Sequence, residues 1–147
     1  MEGSGLAALE RRIGHRFRDP SLAARALTHA SYANEHPPAA DHSRLAFLGD
    51  AALALVVADR LLAEDPAATV GVLTSGRAEL VTGARLARWA VELDLGPLLR
   101  LGRGEDLAGG RARESILASA LEAVLGAIYV EGGLEPLRSA VGRLAAW

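Results

Sequence analysis

An all-α fold is what the sequence predicts, on three observations. Apolar residues recur at helical spacing nearly throughout, no stretch sustains the apolar/polar alternation of a strand, and capping residues with Gly or Pro breaks divide the chain into helix-length pieces. Ser4 can cap a first helix that runs to Ile13 and stops at Gly14. Asp19 before Pro20 opens a second, reaching about Ala30. Pro37 and Pro38 forbid helix continuation, so 34–40 reads as a loop before the longest helix, His42 to Ala63. Thr69 can cap a fourth helix, which Gly83 interrupts near its middle, and Gly96-Pro97 ends the continuation that carries Leu86, Trp89 and Leu93. The glycines of 101–110 suggest a mobile loop. A long helix follows from Arg111 to Val130, closed by Gly132-Gly133, and a terminal helix starts at Leu134. With no internal repeat and no linker, 1–147 reads as one domain.

Half of the 147 residues are hydrophobic, enough for a full core. No cysteine is present, which excludes a disulfide framework and thiolate metal sites. Met1 to Leu9 lacks the charged and apolar regions of a secretory signal, so a cytoplasmic location is the expectation. Apolar runs such as Ala51–Ala58 are too short to cross a bilayer, and no membrane partner is expected. A net charge of −2 argues against a strongly electrostatic nucleic-acid binder. All sixteen basic residues are Arg, a pattern that suits bidentate phosphate contacts and that GC-rich codon usage explains equally well.

Two segments carry the chemistry: Ser43-Arg44-Leu45-Ala46-Phe47-Leu48-Gly49-Asp50 and Ser115-Ile116-Leu117-Ala118-Ser119-Ala120-Leu121-Glu122-Ala123. Each sets one carboxylate among apolar neighbours in a helix, where charge is costly unless paired, hydrogen-bonded or metal-bound. A buried polar link or an exposed helix edge is the plainer reading of both.

These segments resemble the signatures of the ribonuclease III family, Glu-Arg-Leu-Glu-Phe-Leu-Gly-Asp and Ile-Leu-Ala-Asp-x-x-Glu-Ala. Thr28-His29-Ala30-Ser31-Tyr32, Leu101-Gly102-Arg103-Gly104-Glu105 and Gly126-Ala127-Ile128-Tyr129 with Glu131-Gly132-Gly133 resemble further family stretches in the family's order. The resemblance implies a homodimer whose valley holds double-stranded RNA, and an acidic cluster that binds Mg²⁺ to cut phosphodiesters. Carried over, the cluster falls at Ala46, Asp50, Ser119 and Glu122, so Asp50 and Glu122 match as catalytic metal ligands while Ala46 and Ser119 do not. The family's leading glutamate is replaced by Ser43. Spacings of four and three put each pair on one helix face. Mg²⁺ can be held by one or two carboxylates with water and phosphate, so the count by itself does not abolish binding and the expectation is Mg²⁺ bound weakly or not at all. The short members of the family are similar in length and in having a small residue ahead of Gly-Asp and a hydroxyl for the second aspartate. The chain stops at Trp147, where the long form would continue into a double-stranded-RNA-binding domain.

Other residues keep two readings each. His29 is a general base or a structural hydrogen-bonder; Ser43, with Ser119, is a new polar site or a plain loss of ligands. Arg100, Arg103, Arg111 and Arg113 meet RNA phosphates or form a solvated basic loop. Phe47 matches the residue that in this family enters the partner subunit, against an ordinary core role. Three functions stand side by side: a weakened Mg²⁺-dependent nuclease on structured or double-stranded RNA, a scaffold recruited to metal-free acid/base chemistry on a small molecule, and a non-cleaving RNA or ribonucleoprotein binding module.

Overall fold

The computed structural model describes residues 2–147, and among them the secondary structure is helical apart from one isolated bridge between Thr28 and Arg100. The helices are α1 (Glu2–Ile13), α2 (Pro20–Ala26), α3 (Ala30–Glu35), α4 (Ser43–Glu64), α5 (Val70–Leu80), α6 (Gly83–Glu92), α7 (Arg103–Leu107), α8 (Glu114–Gly132) and α9 (Leu134–Ala145), with short 3₁₀ turns at Gly96–Leu98 and Gly110–Ala112.

Side-chain caps explain most starts. Asp19 accepts from Ser21 N–H, Thr69 from Val72 N–H and Thr82 from Arg85 N–H, each meeting a donor that the first turn leaves open. Four expectations change. Ser4 lies inside α1, which begins at Glu2, so it does not cap it. The second helix stops at Ala26, because the backbone of Leu27 to His29 pairs with Arg100 and α3 then starts afresh from His29. Thr82, rather than Gly83, divides α5 from α6. The glycine-rich stretch is not an open loop: it holds α7, and Gly102 N–H donates to Ser31 Oγ while Arg103 N–H donates to Glu35.

The core forms around α8, whose residues 116–118, 120, 121 and 123–128 are all buried beneath α4, α6, α9 and α2. By length and composition α8 is the one described helix apolar enough to cross a membrane, contrary to the expectation that no segment reaches that length. Its apolarity is accounted for by burial inside the bundle.

At the crossing of α4 over α8 the two backbones touch. A Cβ on Gly49 would overlap the Glu122 carbonyl oxygen, and one on Gly126 would overlap the Leu45 carbonyl oxygen. Glycine at both positions lets the two backbones touch, and this contact positions the acidic site.

Candidate acidic site at the crossing of α4 and α8

Asp50 follows Gly49 on α4, and Glu122 is the residue whose carbonyl Gly49 meets on α8. The two carboxyl groups are therefore brought close enough to act on each other electrostatically. Asp50 is exposed and Glu122 partly buried. Burial pushes the Glu122 carboxyl up to about 7, and the Asp50 carboxyl beside it acts in the same direction. At neutral pH and without a cation the Glu122 carboxyl is about half protonated.

Positions 46 and 119 carry no carboxylate: Ala46 packs against the core, and Ser119 is partly buried, its hydroxyl without a hydrogen-bond partner among the described residues. Among the described residues no three His, Cys, Asp or Glu side chains converge. Ser43 lies two turns before Asp50, at the start of α4, where its N–H and hydroxyl both donate to Asp41. Those two bonds hold the Asp41 carboxyl below the usual carboxylate range.

His29 caps α3. Its Nδ1 accepts from Ser31 N–H at 3.1 Å and lies 2.8 Å from Ser31 Oγ, the atom that also receives Gly102 N–H. Edge-on to it at 5.9 Å is His42, buried, with Nδ1 donating to the Ala26 carbonyl; burial holds this imidazole below its usual value.

Three of the four loop arginines are engaged within the protein. Arg100 lies 4.6 Å over the Tyr32 ring and donates to its hydroxyl. Arg111 pairs with Asp106 and donates to the Gly96 and Leu99 carbonyls, and Arg113 pairs with Glu105. Among the described residues, Arg103 alone of the four has a guanidinium without a partner.

Phe47 is 81% exposed, which removes it from the core. Beside it lies an open groove of about 580 Å³ lined by Arg25, Ser43, Arg44, Leu45, Phe47 and Leu48.

Two arrangements were not legible beforehand. Glu131, only 5% exposed at its side chain, pairs with His15 at 2.8 Å and accepts from the N–H groups of Arg18 and Asp19, tying the end of α8 to the turn between α1 and α2. A second cleft of about 540 Å³ separates α4 from α9 and is lined by Asp59, Arg60, Arg138, Arg143 and Trp147 among others. Neither has a local sequence signal, because the partners lie some 80 to 116 residues apart.

A family model described as Ribonuclease-III-like matches residues 19–145. Ribonuclease 3 of Alkalilimnicola ehrlichii is 50% identical over 137 residues, covering 93% of this chain and 58% of that relative. Ribonuclease 3 of Bdellovibrio bacteriovorus is 44% identical over 140 residues, covering 95% of this chain and 60% of the relative. The chain thus spans about three fifths of the length of these curated relatives. Two solved nuclease domains of ribonuclease III from Campylobacter jejuni superpose with TM-scores of 0.89 and 0.87 at 37% identity, covering 95% of this chain and 94% and 92% of theirs. One of them is described as flexible in the region involved in dimer formation.

Proposed function

The chain belongs to the ribonuclease-III-like family, and from that premise we propose that it is a divergent nuclease domain that acts on structured or double-stranded RNA with weakened Mg²⁺-dependent cleavage. The observation that carries this reading is the meeting of Asp50 and Glu122 at the α4–α8 crossing while positions 46 and 119 hold Ala and Ser.

Two converging carboxyls suit a cation held by few protein oxygens, because the charge of a bound cation offsets the burial, and then the neighbouring Asp50 charge, that raise Glu122. Asp50 and Glu122 would hold Mg²⁺, which when bound supplies an activated water and charge compensation for phosphodiester hydrolysis. Glu122 must then give up its proton, and Asp50, being exposed, faces the side from which a phosphate arrives. Ser119, one turn before Glu122, offers a neutral hydroxyl where a third carboxylate would add charge. Arg103 has its guanidinium available for a phosphate, whereas Arg100, Arg111 and Arg113 would have to give up internal partners.

The working unit in this proposal is a homodimer with Phe47 at its centre. An aromatic ring 81% exposed beside a groove that contains Leu45 and Leu48 fits burial against a second copy. The scaffold recruited to a small molecule gains support from a Glu122 that titrates near neutrality, but neither of the two clefts described above is lined by Asp50 or Glu122. The deciding experiment restores the cluster: Ala46→Glu with Ser119→Asp should raise Mg²⁺-dependent cleavage of duplex RNA by at least about tenfold. A restored protein that binds Mg²⁺ tightly and leaves duplex RNA intact would overturn the nuclease reading.

A further inference from the structure

We propose that His29 is a proton-sensitive latch: neutral, it caps α3 and holds that helix on the backbone of Gly102 and Arg103; protonated, it lets the helix go. The latch is separate from Asp50 and Glu122. It does not rest on the nuclease reading; only its bearing on RNA does, through Arg103.

A backbone N–H can only donate, so the His29 Nδ1 that receives Ser31 N–H at 3.1 Å carries no proton, and the proton of the neutral ring sits on Nε2. Ser31 Oγ lies 2.8 Å from the same nitrogen and accepts Gly102 N–H at 2.8 Å, so the hydroxyl proton points to Nδ1. A directed chain thus runs from Gly102 N–H through the Ser31 hydroxyl to one imidazole lone pair. A Cβ on Gly102 would overlap the Ser31 carbonyl oxygen, so α3 lies directly on this segment. At the other end of the helix Glu35 accepts Arg103 N–H at 2.9 Å. None of the described residues of α3 is buried, so polar contacts, with the Tyr32 ring against Arg100, hold it in place. The segment it holds carries Arg103, the residue that the proposed function sets on a phosphate.

Protonation turns Nδ1 from acceptor to donor. Ser31 N–H then faces a second donor, the cap is lost, and the Ser31 hydroxyl has to turn. Asn would cap the helix without titrating; imidazole is the group whose charge changes between about pH 5 and 8. The neighbours decide which ring responds. His42 stands edge-on at 5.9 Å, buried, with Nδ1 donating to the Ala26 carbonyl. Burial, helped by the His29 charge, holds His42 below its ordinary value of 6.5 against the pull of the Ala26 carbonyl and Asp41. Folding therefore favours neutral His42, a contribution present above about pH 6.5 and lost as pH falls, and His29 is left as the ring that takes the proton. The other charged groups around the pair are Arg25, which donates to the Asp41 carbonyl, Arg100, which donates to Thr28 and Tyr32, and Glu35. His36 donates from Nδ1 to the Tyr32 carbonyl, a bond that protonation keeps.

Amide hydrogen exchange reads the latch locally. The full chain in chelator is followed by NMR from about pH 8 to about pH 5 as protection factors, which already allow for the intrinsic pH dependence of exchange. Ser31, Gly102 and Arg103 should lose protection together by about fivefold or more as pH falls, the weight of one helix cap. The buried α8 residues Leu121 and Val124 should stay protected. The nitrogen chemical shift of His29 Nδ1 should be that of an unprotonated atom at about pH 8 and should change over the same interval. His29→Asn supplies a cap that does not titrate and should keep Gly102 and Arg103 protected at both ends of the range, whereas His29→Ala should leave them weakly protected throughout. His36→Gln should leave the transition in place. A protonated Nδ1 at about pH 8, constant protection in the parent, a transition that survives in His29→Asn, or a loss shared by the α8 amides would each overturn the proposal.

Discussion

Replacing Glu122 by Gln should change how stability depends on pH, in a direction fixed by the site. In the folded protein the Glu122 carboxyl titrates at about 7 against an ordinary value of 4.5. Folding therefore favours the protonated form. Its contribution is fully present below about pH 4.5, falls as pH rises, and is lost once pH passes about 7. Solvent screening at a partly exposed group holds the effect of such a rise to about 1–2 kcal/mol. Asp19, Asp41 and Glu131 have lowered values and act in the opposite sense, so the quantity to follow is the difference between parent and variant. Urea unfolding in chelator, from about pH 5 to pH 8, should show the Glu122→Gln protein gaining about 1–2 kcal/mol over the parent as pH rises. Asp50→Asn should give the same sign, because it removes the repelling partner. Adding Mg²⁺ above pH 7 should stabilise the parent and neither variant, by linkage to the folded state. A parent-minus-variant difference that stays flat across this range would refute the raised Glu122 carboxyl and the close approach behind it.

The crossing itself can be tested by Gly49→Val, whose side chain would run into the Glu122 backbone; a loss of at least about 3 kcal/mol is expected in urea unfolding. Phe47→Ala should leave the monomer fold intact, since the ring is exposed, and should weaken self-association by about 3 kcal/mol in sedimentation equilibrium. An unchanged association constant would remove Phe47 from the interface. Restoring acid at Ser119→Asp alone should tighten Mg²⁺ binding in calorimetry by about tenfold or more, and in chelator should lower stability at pH 8 through added repulsion.

Much of the helical order was legible because caps and breakers act over a few residues. Asp19, Thr69 and Gly132-Gly133 mark real boundaries for that reason. Misreadings arose where a distant segment decided the outcome. The local pattern reads as helix through to Ala30, yet Leu27 and His29 exchange hydrogen bonds with Arg100, more than seventy residues away. The loop arginines looked free in sequence, while the acceptors that occupy them, Asp106, Glu105 and the Gly96 and Leu99 carbonyls, are set by the folding of 96–113. Glu131 had no local hint of becoming the anchor of the α1–α2 turn.

The sequence by itself determined that the chain is helical, that Asp50 and Glu122 sit among apolar neighbours, and that positions 46 and 119 lack acid, because spacing and residue type suffice for each. Only the tertiary structure decided that the two carboxyls meet, since this depends on Gly49 and Gly126 letting two backbones touch across more than seventy residues of chain. It also decided that Phe47 faces outward and that a cleft opens beside Trp147. Burial and contact between distant segments are properties of packing, and a one-dimensional pattern records only which faces could take part.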